Sequence, residues 1–493
     1  MLQLVELRMV SLDALNGSPD EALARLSRFA TARRTDFVLR SQKAGTDLAE
    51  RENERGDERG DEWGAEWELG IETHDDHRVF VAMHLDWPLV RRMETEAGPF
   101  DTLHAWIKSE AALADLKTLL GDASFTLSEA SETAIVEWDT PGEMDTGVHV
   151  RATLRLDPDR PAKLTLTAAP DEREALFATA HEIAATLPFL IVPIAIDNAL
   201  REPVKASKLK LPKNASPTDA FVAIGKSVAA QWFGNDAASR NGLEVEHVHQ
   251  LRVAQRRLKT AIKLFPEWID DTWTTQVAPD LKWFGDLLGD ARDWDVFTET
   301  TLVAYAAADD PEHKDAWKPT QSAADSKRIA ARQRLQDAMN SPRYALLALS
   351  FVEWFSALEA PPHQADQTLA AYAQKRITKH YRKIERAPEL TTLDAPTRHK
   401  VRIHAKRLRY ALEFLRSLLT RKTRKQVEEA LGNLQSVLGE GNDAAVAAQR
   451  LADLEEAGEF QKGLAKGFAV NAQRMSAMEG ERILRKIKPP RIK

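Results

Sequence analysis

The chain has 493 residues, of which 43% are hydrophobic and 29% are charged, and its formal net charge is −7. This is the composition of an ordinary globular protein, and the length predicts about two to four domains. The absence of cysteine excludes disulfides, thiolate metal sites and cysteine nucleophiles, and it favours a reducing compartment.

Residues 1–200 are predicted to form an α+β domain. Helical periodicity appears at 18–33 and 170–187, whereas the charged run 50–68 is expected to be a solvated, mobile loop. The apolar run 187–196 is about half the length of a membrane span and contains two prolines, so a buried strand or an interdomain plug is expected there. The first ten residues lack the pattern of a signal peptide. Alternation of apolar and polar residues predicts strands at 2–10, 66–74, 77–85, 133–140, 147–156 and 162–168.

The chain divides by charge near residue 200. Residues 1–200 hold 20 Lys and Arg against 38 Asp and Glu, whereas the remaining residues hold 48 against 37. Residues 201–216 are basic and rich in proline and small polar residues, which predicts a linker. Helical periodicity then dominates, so residues 217–485 are predicted to form an all-α domain. The predicted helices are 217–234, 244–266, 271–289, 292–308, 321–340, 342–358, 366–386, 395–420, 422–438 and 442–475.

The all-α region contains an internal repeat with an offset of 150 residues. HQLRVAQRRLKTAIKLF at 249–265 matches HKVRIHAKRLRYALEFL at 399–415. LGDARDWDV at 288–296 matches LGEGNDAAV at 438–446 at the same offset. We expect a duplication, in which 217–310 and 366–475 form two similar four-helix bundles related by a pseudo-twofold axis.

Each copy carries a stripe of cations. His249, Arg252, Arg256, Lys259 and Lys263 are separated by 3, 4, 3 and 4 residues, so they share one face of a helix. The second copy repeats the stripe, and no Glu interrupts either one. A solvated basic face is the alternative for either helix alone, and a packing role is the alternative for each histidine. Two stripes turned toward each other would line a basic groove for a linear polyanion, because Arg and Lys bind phosphate oxygens.

The candidate ligand contacts fall into two sets. The primary set is His249, Arg252, Arg256, Arg257, Lys259, Lys263, His399, Arg402, Lys406, Arg407 and Arg409. The secondary set is Lys226, Arg328, Arg332, Arg343, Arg376, Lys379, Arg382 and Lys383. Each member of this set is individually better explained as a surface charge.

Two glycines and two aspartates accompany the stripes in the matched motifs. Gly289 and Gly439 are expected to end helices, and Asp293 and Asp443 to begin or brace the next ones. The alternative is that the aspartates orient the basic residues of the groove. Because the stripes contain no aromatic residues on which bases could stack, nucleic acid is a less favoured ligand than a phosphate polymer.

These motifs resemble the CHAD domain, the conserved histidine α-helical domain. The resemblance rests on H-x-x-R-x-x-x-R-R-L-K at 249–259, L-G-x-x-R-D-x-D-V at 288–296, H-x-x-R-I-x-x-K-R-L-R-Y at 399–410 and L-G-x-x-N-D-x-x-V at 438–446, and it covers 215–485 with S-P-R-Y at 341–344. It implies two four-helix bundles flanking a basic channel that binds inorganic polyphosphate. It also implies association with polyphosphate granules in the cytoplasm.

CHAD domains often follow a CYTH domain, an antiparallel β-tunnel that hydrolyses triphosphates with a divalent metal. Residues 1–200 resemble that layout but depart from its motifs. LVELR at 4–8 replaces E-x-E-x-K, and AKLTLTA at 162–168 lacks the paired acids. We therefore expect a degenerate CYTH-like domain without catalysis, metal or cofactor, serving as a scaffold, a regulator or a site for a protein partner. The carboxylates left without an assigned place are Glu66, Glu68, Glu72 and Glu137.

The sequence therefore favours a non-enzymatic polyphosphate-binding protein without a membrane partner. One alternative is a metal-dependent inorganic triphosphatase whose helical domain captures the substrate. Another is an RNA-binding or nucleoid-associated protein.

Overall fold

The structure is a computed structural model of the chain. It divides into two compact units, of which the first comprises Met1–Asn198 with Met339–Ala357 and the second comprises Ala199–Ala338 with Leu358–Lys493. The predicted helix 18–33 and most of the predicted loop 50–68 lie outside the described residues. Those described are 2–11, 35–45, 66–74, 77–85, 89–97, 102–114, 117, 126–127, 131–141, 149–156, 163–186, 189–191, 202–212, 214–241, 245–358 and 367–493.

The first unit is built on an antiparallel sheet. Its described strands are β1 (Leu2–Ser11), β2 (Thr35–Gly45), β3 (Glu66–His74), β4 (His77–Leu85), β5 (Val90–Glu96), β6 (Thr126–Leu127), β7 (Ser131–Pro141), β8 (His149–Leu156), β9 (Lys163–Ala168) and β10 (Phe189–Ile191). They pair in the order β10-β1-β5-β4-β3-β2-β7-β8-β9, and β1 also pairs with β9. This second pairing of β1 closes a ring of eight strands. All six predicted strands are present, and β10 lies within the apolar run for which a strand was one expectation.

Three described helices belong to the first unit: α1 (Leu103–Ser109), α2 (Arg173–Thr186) and α9 (Pro342–Ser356). The buried face of α2 includes Leu176 and Phe177, and the helix contacts β8 and β9. His181 Nε2 lies 2.9 Å from Glu353 Oε2, which joins α2 to α9. The predicted all-α domain 217–485 is continuous, whereas the second unit omits the segment that contains α9.

The second unit is helical. Its described helices are α3 (Pro217–Phe233), α4 (Asp236–Asn241), α5 (Val245–Leu264), α6 (Ala278–Val296), α7 (Leu302–Ala308), α8 (Lys318–Met339), α10 (Leu369–Glu385), α11 (Ala395–Phe414), α12 (Arg421–Ala452) and α13 (Glu459–Leu484). Polar side chains cap several of them as expected for helix starts: Asp394 accepts a hydrogen bond from the backbone of Thr397 at 2.9 Å, and Ser216 from that of Asp219 at 3.1 Å. Within the described residues, no helix is long and apolar enough to cross a membrane.

Residues 202–212, in the predicted linker, contain neither helix nor strand. They are nevertheless tied to the helical unit. The backbone N–H of Val204 donates to Asn235 Oδ1 at 3.0 Å, and the carbonyl of Val204 accepts from Asn235 Nδ2 at 2.8 Å. Asn235 is fully buried, so the segment is anchored at this point.

Two predicted helix breaks are wrong. Helix α6 continues through 289–292, and single π-helical segments, Trp273–Val277 and Phe297–Thr301, flank it. Helix α12 likewise continues through 438–442. It is 32 residues long and ends only at Ala452. An interior glycine costs a helix only about 1 kcal/mol relative to alanine, so tertiary packing can outweigh it.

Candidate functional site

Helices α5 and α11 carry the two matched cationic stretches and pack against each other. Each has 20 residues, and their bounds are related by the 150-residue offset of the repeat. The apolar stripe predicted beside the cations is buried in both helices. Its members include Leu251, Ala254 and Leu258 on α5, and Val401, Ala405 and Leu408 on α11.

Five cations from the two helices form a group that we call the central cation cluster: Arg252 and Arg256 from α5, and Arg402, Lys406 and Arg409 from α11. The charges of Arg252 and Arg256 act on both Arg402 and Lys406. The charge of Arg409 acts on Arg256. The repeat equates Arg252 with Arg402 and Arg256 with Lys406. The interaction of Arg252 with Lys406 is therefore equivalent to the interaction of Arg402 with Arg256. The two stripes therefore face each other along one side of the α5–α11 contact.

The pKa values show that these cations are held together at a cost. Burial first, and then the charges of Arg402 and Arg256, lower the pKa of Lys406 to about 7. Burial is also the main cause that lowers the pKa values of Arg256 and Arg402, with neighbouring arginines adding to it. A bound anion would offset this lowering of the pKa values, because it supplies the missing counter-charge.

The matched glycines and aspartates lie beside the cluster. Arg252 Nη1 is 2.7 Å from Asp293 Oδ1, and Arg402 Nη2 is 3.6 Å from Asp443 Oδ1. A Cβ on Gly289 would lie 4.0 Å from Arg252 Nη2, and the equivalent distance from a Cβ at position 439 to Arg402 Nη2 is 3.8 Å. Since glycine and aspartate are four residues apart in each helix, they share a face. The aspartates therefore orient the arginines, and the helix-ending role predicted for the glycines is wrong.

A cavity of about 500 Å³ opens beside the cluster. Arg402, Lys406 and Arg409 line it from α11, and α12 contributes Gln435 and Asp443 among others. Arg409 Nε donates a hydrogen bond to Gln435 Oε1 at 3.0 Å, which fixes its guanidinium at this wall.

The histidines that lead the two stretches have different surroundings. Burial first, and then the charge of Arg292, lower the pKa of His249, on which Arg256 and Arg252 also act. His399 Nδ1 lies 2.5 Å from Asn442 Oδ1 and lines a cavity of about 50 Å³. His249 therefore borders the central cation cluster, while His399 is held by α12.

Arg257 is one primary candidate that the structure places in the interior. It is 0% exposed, and its Nη1 donates to Gln231 Oε1 at 2.7 Å. Its Nε lies 3.2 Å from Glu413 Oε1, and the guanidinium lies over the ring of Phe414. Arg257 therefore holds α3, α5 and α11 together, and its burial argues against a direct contact with a ligand.

Three other primary candidates lie away from the central cation cluster. Lys259 reaches toward α6, where a Cβ on Gly285 would lie 2.8 Å from its Nζ, and Asp286 acts on its pKa. Lys263 and Arg407 are neighbours of Lys383. Lys263, Arg407 and Lys383 belong to a separate group that is described below.

Three of the eight secondary candidates are ion-paired away from the central cation cluster, and the other five lie on α3, α9 and α10. Arg328 is paired with Glu299 and Asp325, Arg332 with the fully buried Asp295, and Arg376 with Glu267. Arg343 lies on α9, in the first unit, and Lys226 lies on α3. Lys379, Arg382 and Lys383 are exposed on α10 and line a cavity of about 630 Å³. Pairing with the buried Asp295 explains Arg332 as a structural residue, and the ion pairs of Arg328 and Arg376 likewise engage their guanidinium groups within the protein.

The first unit contains a polar cluster inside its sheet that the sequence reveals only in part. Arg92 Nη2 is 2.6 Å from Glu72 Oε2, and Arg92 Nε is 2.8 Å from Glu94 Oε2. Arg8 Nε donates to Glu6 Oε1 at 2.5 Å, and Glu6 lies 3.9 Å from Arg92. Burial lowers the pKa of Arg92, but the carboxylates of Glu72, Glu6 and Glu94 more than offset this and raise it.

This cluster places one of the four unassigned carboxylates, Glu72, beside Arg92. Glu66, Glu68 and Glu137 lie on described strands, but their side chains are outside the described part. Among the residues that the structure describes, no group of three or more His, Asp or Glu has the arrangement of a metal site.

Comparison with known proteins assigns the helical region. A family model described as the CHAD domain matches residues 223–452. The crystal structure of the CHAD domain from the plant Ricinus communis is 27% identical and has a TM-score of 0.50, with coverage of 59% of this chain and 100% of that chain. No curated protein matches the chain significantly.

Two further solved structures are similar at a lower level. PptA from Streptomyces chartreusis is 19% identical, with a TM-score of 0.44 and coverage of 55% of this chain and 99% of that one. A putative adenylyl cyclase from Hippeastrum, described as having a dominant triphosphatase activity, is 13% identical, with a TM-score of 0.24 and coverage of 40% and 95%. The motifs at the α5–α11 contact and the match to the family model agree, and residues 223–452 of this chain are a CHAD domain.

Proposed function

We propose that this protein binds inorganic polyphosphate at the central cation cluster. The observation that carries the proposal is an excess of cations over carboxylates in one half-buried place. Asp293 and Asp443 partner two of the five cations. Among the described residues, no carboxylate lies within ion-pairing distance of Arg256, Lys406 or Arg409.

The shape of the cluster favours a linear ligand over a single phosphate. Arg402, Lys406 and Arg409 extend over seven residues of α11, which is about 10 Å along a helix axis. Arg252 and Arg256 run beside them on α5. A phosphate polymer presents a row of negatively charged oxygens that such a double row can contact, with arginine forks binding in bidentate fashion.

Titration with long-chain polyphosphate at several salt concentrations tests this proposal directly. Binding should weaken steeply as salt rises, because the ligand releases counterions when lysine and arginine replace them. Arg256→Glu combined with Lys406→Glu should lower affinity at least about a hundredfold, since two attractive charges become repulsive.

A matched control is Lys425→Glu combined with Lys466→Glu, which changes the net charge equally at exposed positions on α12 and α13. This control should retain binding. Equal loss in both double variants would mean that only net charge matters, and retained binding in the cluster variant would place the ligand elsewhere.

RNA is the competing polyanion. The central cation cluster includes four arginines and a lysine, and Tyr410, which lies next to Arg409, is buried with 4% exposure. Because base stacking needs accessible aromatic faces, polyphosphate should displace RNA when the two compete for the site. Displacement in the opposite direction would favour a nucleic-acid-binding function.

We also infer that the first unit does not hydrolyse triphosphates. Its carboxylates Glu6, Glu72 and Glu94 are all paired with Arg92, and Arg8 and Arg151 add partners for Glu6 and Glu94, so these carboxylates are already engaged within the protein. Phosphate release from tripolyphosphate with Mg²⁺ or Mn²⁺, lost on Glu6→Gln, would contradict this inference.

The proposed ligand implies a location on polyphosphate granules in the cytoplasm. A fluorescent fusion should move to granules where they form and redistribute when polyphosphate synthesis is blocked. A diffuse signal in both conditions would instead favour a soluble sensor.

A further inference from the structure

A second group of titratable and cationic side chains lies at the C-terminal end of α5. We call it the second cation cluster, and it consists of Lys263 from α5, His380 and Lys383 from α10, and His404 and Arg407 from α11. The charges of Arg407, Lys383 and Lys263 all act on His404. His380 hydrogen-bonds to the backbone of Lys263, and Lys383, Arg407 and His404 act on it. Three helices therefore converge on one basic place.

The internal repeat shows how unusual this group is. With the offset of 150 residues, Arg407 corresponds to Arg257 in the other copy, and Lys263 corresponds to Glu413. Arg257 and Glu413 form an ion pair at 3.2 Å. The corresponding contact between Arg407 and Lys263 joins two cations. One end of the α5–α11 contact is therefore closed by opposite charges, while the other end carries like charges.

The remaining members of the second cation cluster are also more basic than the residues at the corresponding positions of the first copy. His380, Lys383 and His404 correspond to Ala230, Phe233 and Ala254. All three counterparts are buried core residues. The first copy thus has buried apolar residues at three positions where the second copy has basic or titratable side chains, of which His380 is buried and Lys383 is exposed, so packing alone does not account for the second cation cluster.

The like charges are not compensated by nearby acids. In the described parts of the chain, no carboxylate lies within ion-pairing distance of Lys263, Lys383 or Arg407. The Nδ1 atom of His404 is buried and has no hydrogen-bond partner there. Such an arrangement is destabilising in an empty site, and an anion of suitable size would satisfy both the charges and the histidine nitrogen.

The second cation cluster is separate from the central one. Successive residues of a helix are rotated by about 100°, so Arg407 lies roughly 140° around α11 from Arg402, and His404 about 200°. The charges that act on Lys406 belong to the central cation cluster and Asp443. Lys383 also lines a cavity of about 630 Å³ along α10, so its ammonium group is accessible from that side.

We infer that the second cation cluster is an independent binding site for a compact phosphate oxyanion, of the class of orthophosphate or pyrophosphate. The size class follows from the geometry, because five groups from three helices converge on one place and do not extend along a groove. This site does not depend on the function proposed for the central cation cluster.

The histidines provide a spectroscopic readout of the site. Burial first, and then the charges of Lys383 and Arg407, lower the pKa of His380 to about 4, and the same causes lower that of His404. Both rings are therefore neutral in the empty protein at pH 7. A bound phosphate stabilises the protonated forms of the two histidines, so their pKa values rise. Phosphate binding is therefore accompanied by proton uptake, and it becomes stronger as the pH falls.

The test is an orthophosphate titration of the full chain, followed by the ring resonances of His380 and His404 in NMR spectra at several pH values. Saturable shifts and a rise in both pKa values are expected. Lys263→Glu reproduces at this end the opposite-charge pair formed by Arg257 and Glu413. It should raise the melting temperature in the absence of ligand and weaken phosphate binding at least tenfold. Lys383→Gln, at an exposed position, should weaken binding and leave the melting temperature unchanged or slightly raised, since one like charge is removed.

Two further arms separate this site from the polyphosphate groove. The variant with Arg256→Glu and Lys406→Glu should show the same histidine response to orthophosphate as the wild type. Long-chain polyphosphate should leave bound orthophosphate in place, and its displacement would mean that the second cluster is an extension of the groove. Histidine resonances that do not respond to orthophosphate, or an undiminished response in Lys263→Glu, would overturn the inference, whatever the outcome for polyphosphate.

Discussion

The protonation of Lys406 predicts how polyphosphate binding should depend on pH. Its pKa is lowered to about 7 by burial and by Arg402 and Arg256, so about half of the unliganded molecules carry a neutral amine at pH 7. A bound polyanion favours the charged form and returns the pKa toward its ordinary value near 10.4. Binding at pH 7 should therefore take up about half a proton per site, and affinity should fall by about tenfold from pH 6 to pH 8.

Calorimetric titration with long-chain polyphosphate in buffers of different ionisation enthalpy measures this uptake. Long chains are required because only the terminal phosphates titrate in this range. Lys406→Arg keeps the charge at all these pH values, so it should bind with similar affinity at pH 6 and show little pH dependence up to pH 8. Equal proton uptake in Lys406→Arg and the wild type, or no uptake in either, would refute the assignment of Lys406 as the titrating group.

Three further predictions concern positions in and around α5, α6 and α12. Arg257→Ala removes a fully buried guanidinium that bonds to Gln231 and to the partly exposed Glu413, so it should lower the free energy of unfolding by about 2–4 kcal/mol in urea denaturation, whereas a solvated arginine would cost less than about 1 kcal/mol. Asp443→Asn frees Arg402 from a competing carboxylate, so calorimetry at low salt should show polyphosphate affinity raised severalfold, by about 0.5–1 kcal/mol. Gly285→Ala should lower the melting temperature, because its Cβ would lie 2.3 Å from a buried glutamine oxygen, whereas Gly289→Ala should leave it unchanged or raise it, since the nearest atom is 4.0 Å away.

The helices that carry the site could be predicted well from the sequence. Periodicity and the repeat predicted helices at 244–266 and 395–420, and the structure has Val245–Leu264 and Ala395–Phe414. The positions of Arg252 and Arg402 on a common stripe followed from their spacing alone. Helical periodicity is a strong signal here because the buried and charged faces are both long and uninterrupted.

The roles of individual residues were harder to predict, because they depend on neighbours from distant parts of the chain. The repeat equates Arg257 with Arg407, yet one is buried against Glu413 and the other lies among cations. Gly439 was expected to end a helix, but nothing local to the sequence shows that an arginine from α11 lies beside it. Tertiary contacts decided both cases.

The strand β5 was missed for a related reason. Its sequence, VRRMETE, has too many charges to resemble an ordinary half-buried strand. In the folded protein Arg92 and Glu94 pair with each other inside the sheet, and Glu72 joins them from β3. Charged residues were thus compatible with this strand because their partners lie on β5 itself and on β1 and β3.

The assignment of α9 to the first unit makes that unit discontinuous in sequence, and this affects how the protein can be synthesised and dissected. Residues on α2 bond to Glu353 and Ser356 of α9, which the ribosome adds roughly 170 residues after α2. The nascent first unit must therefore wait for a late segment before its packing is complete. A chain truncated near residue 200 would lack a helix that contributes Phe351, Val352 and other buried side chains, and chaperone dependence or aggregation of such a fragment is the expected consequence.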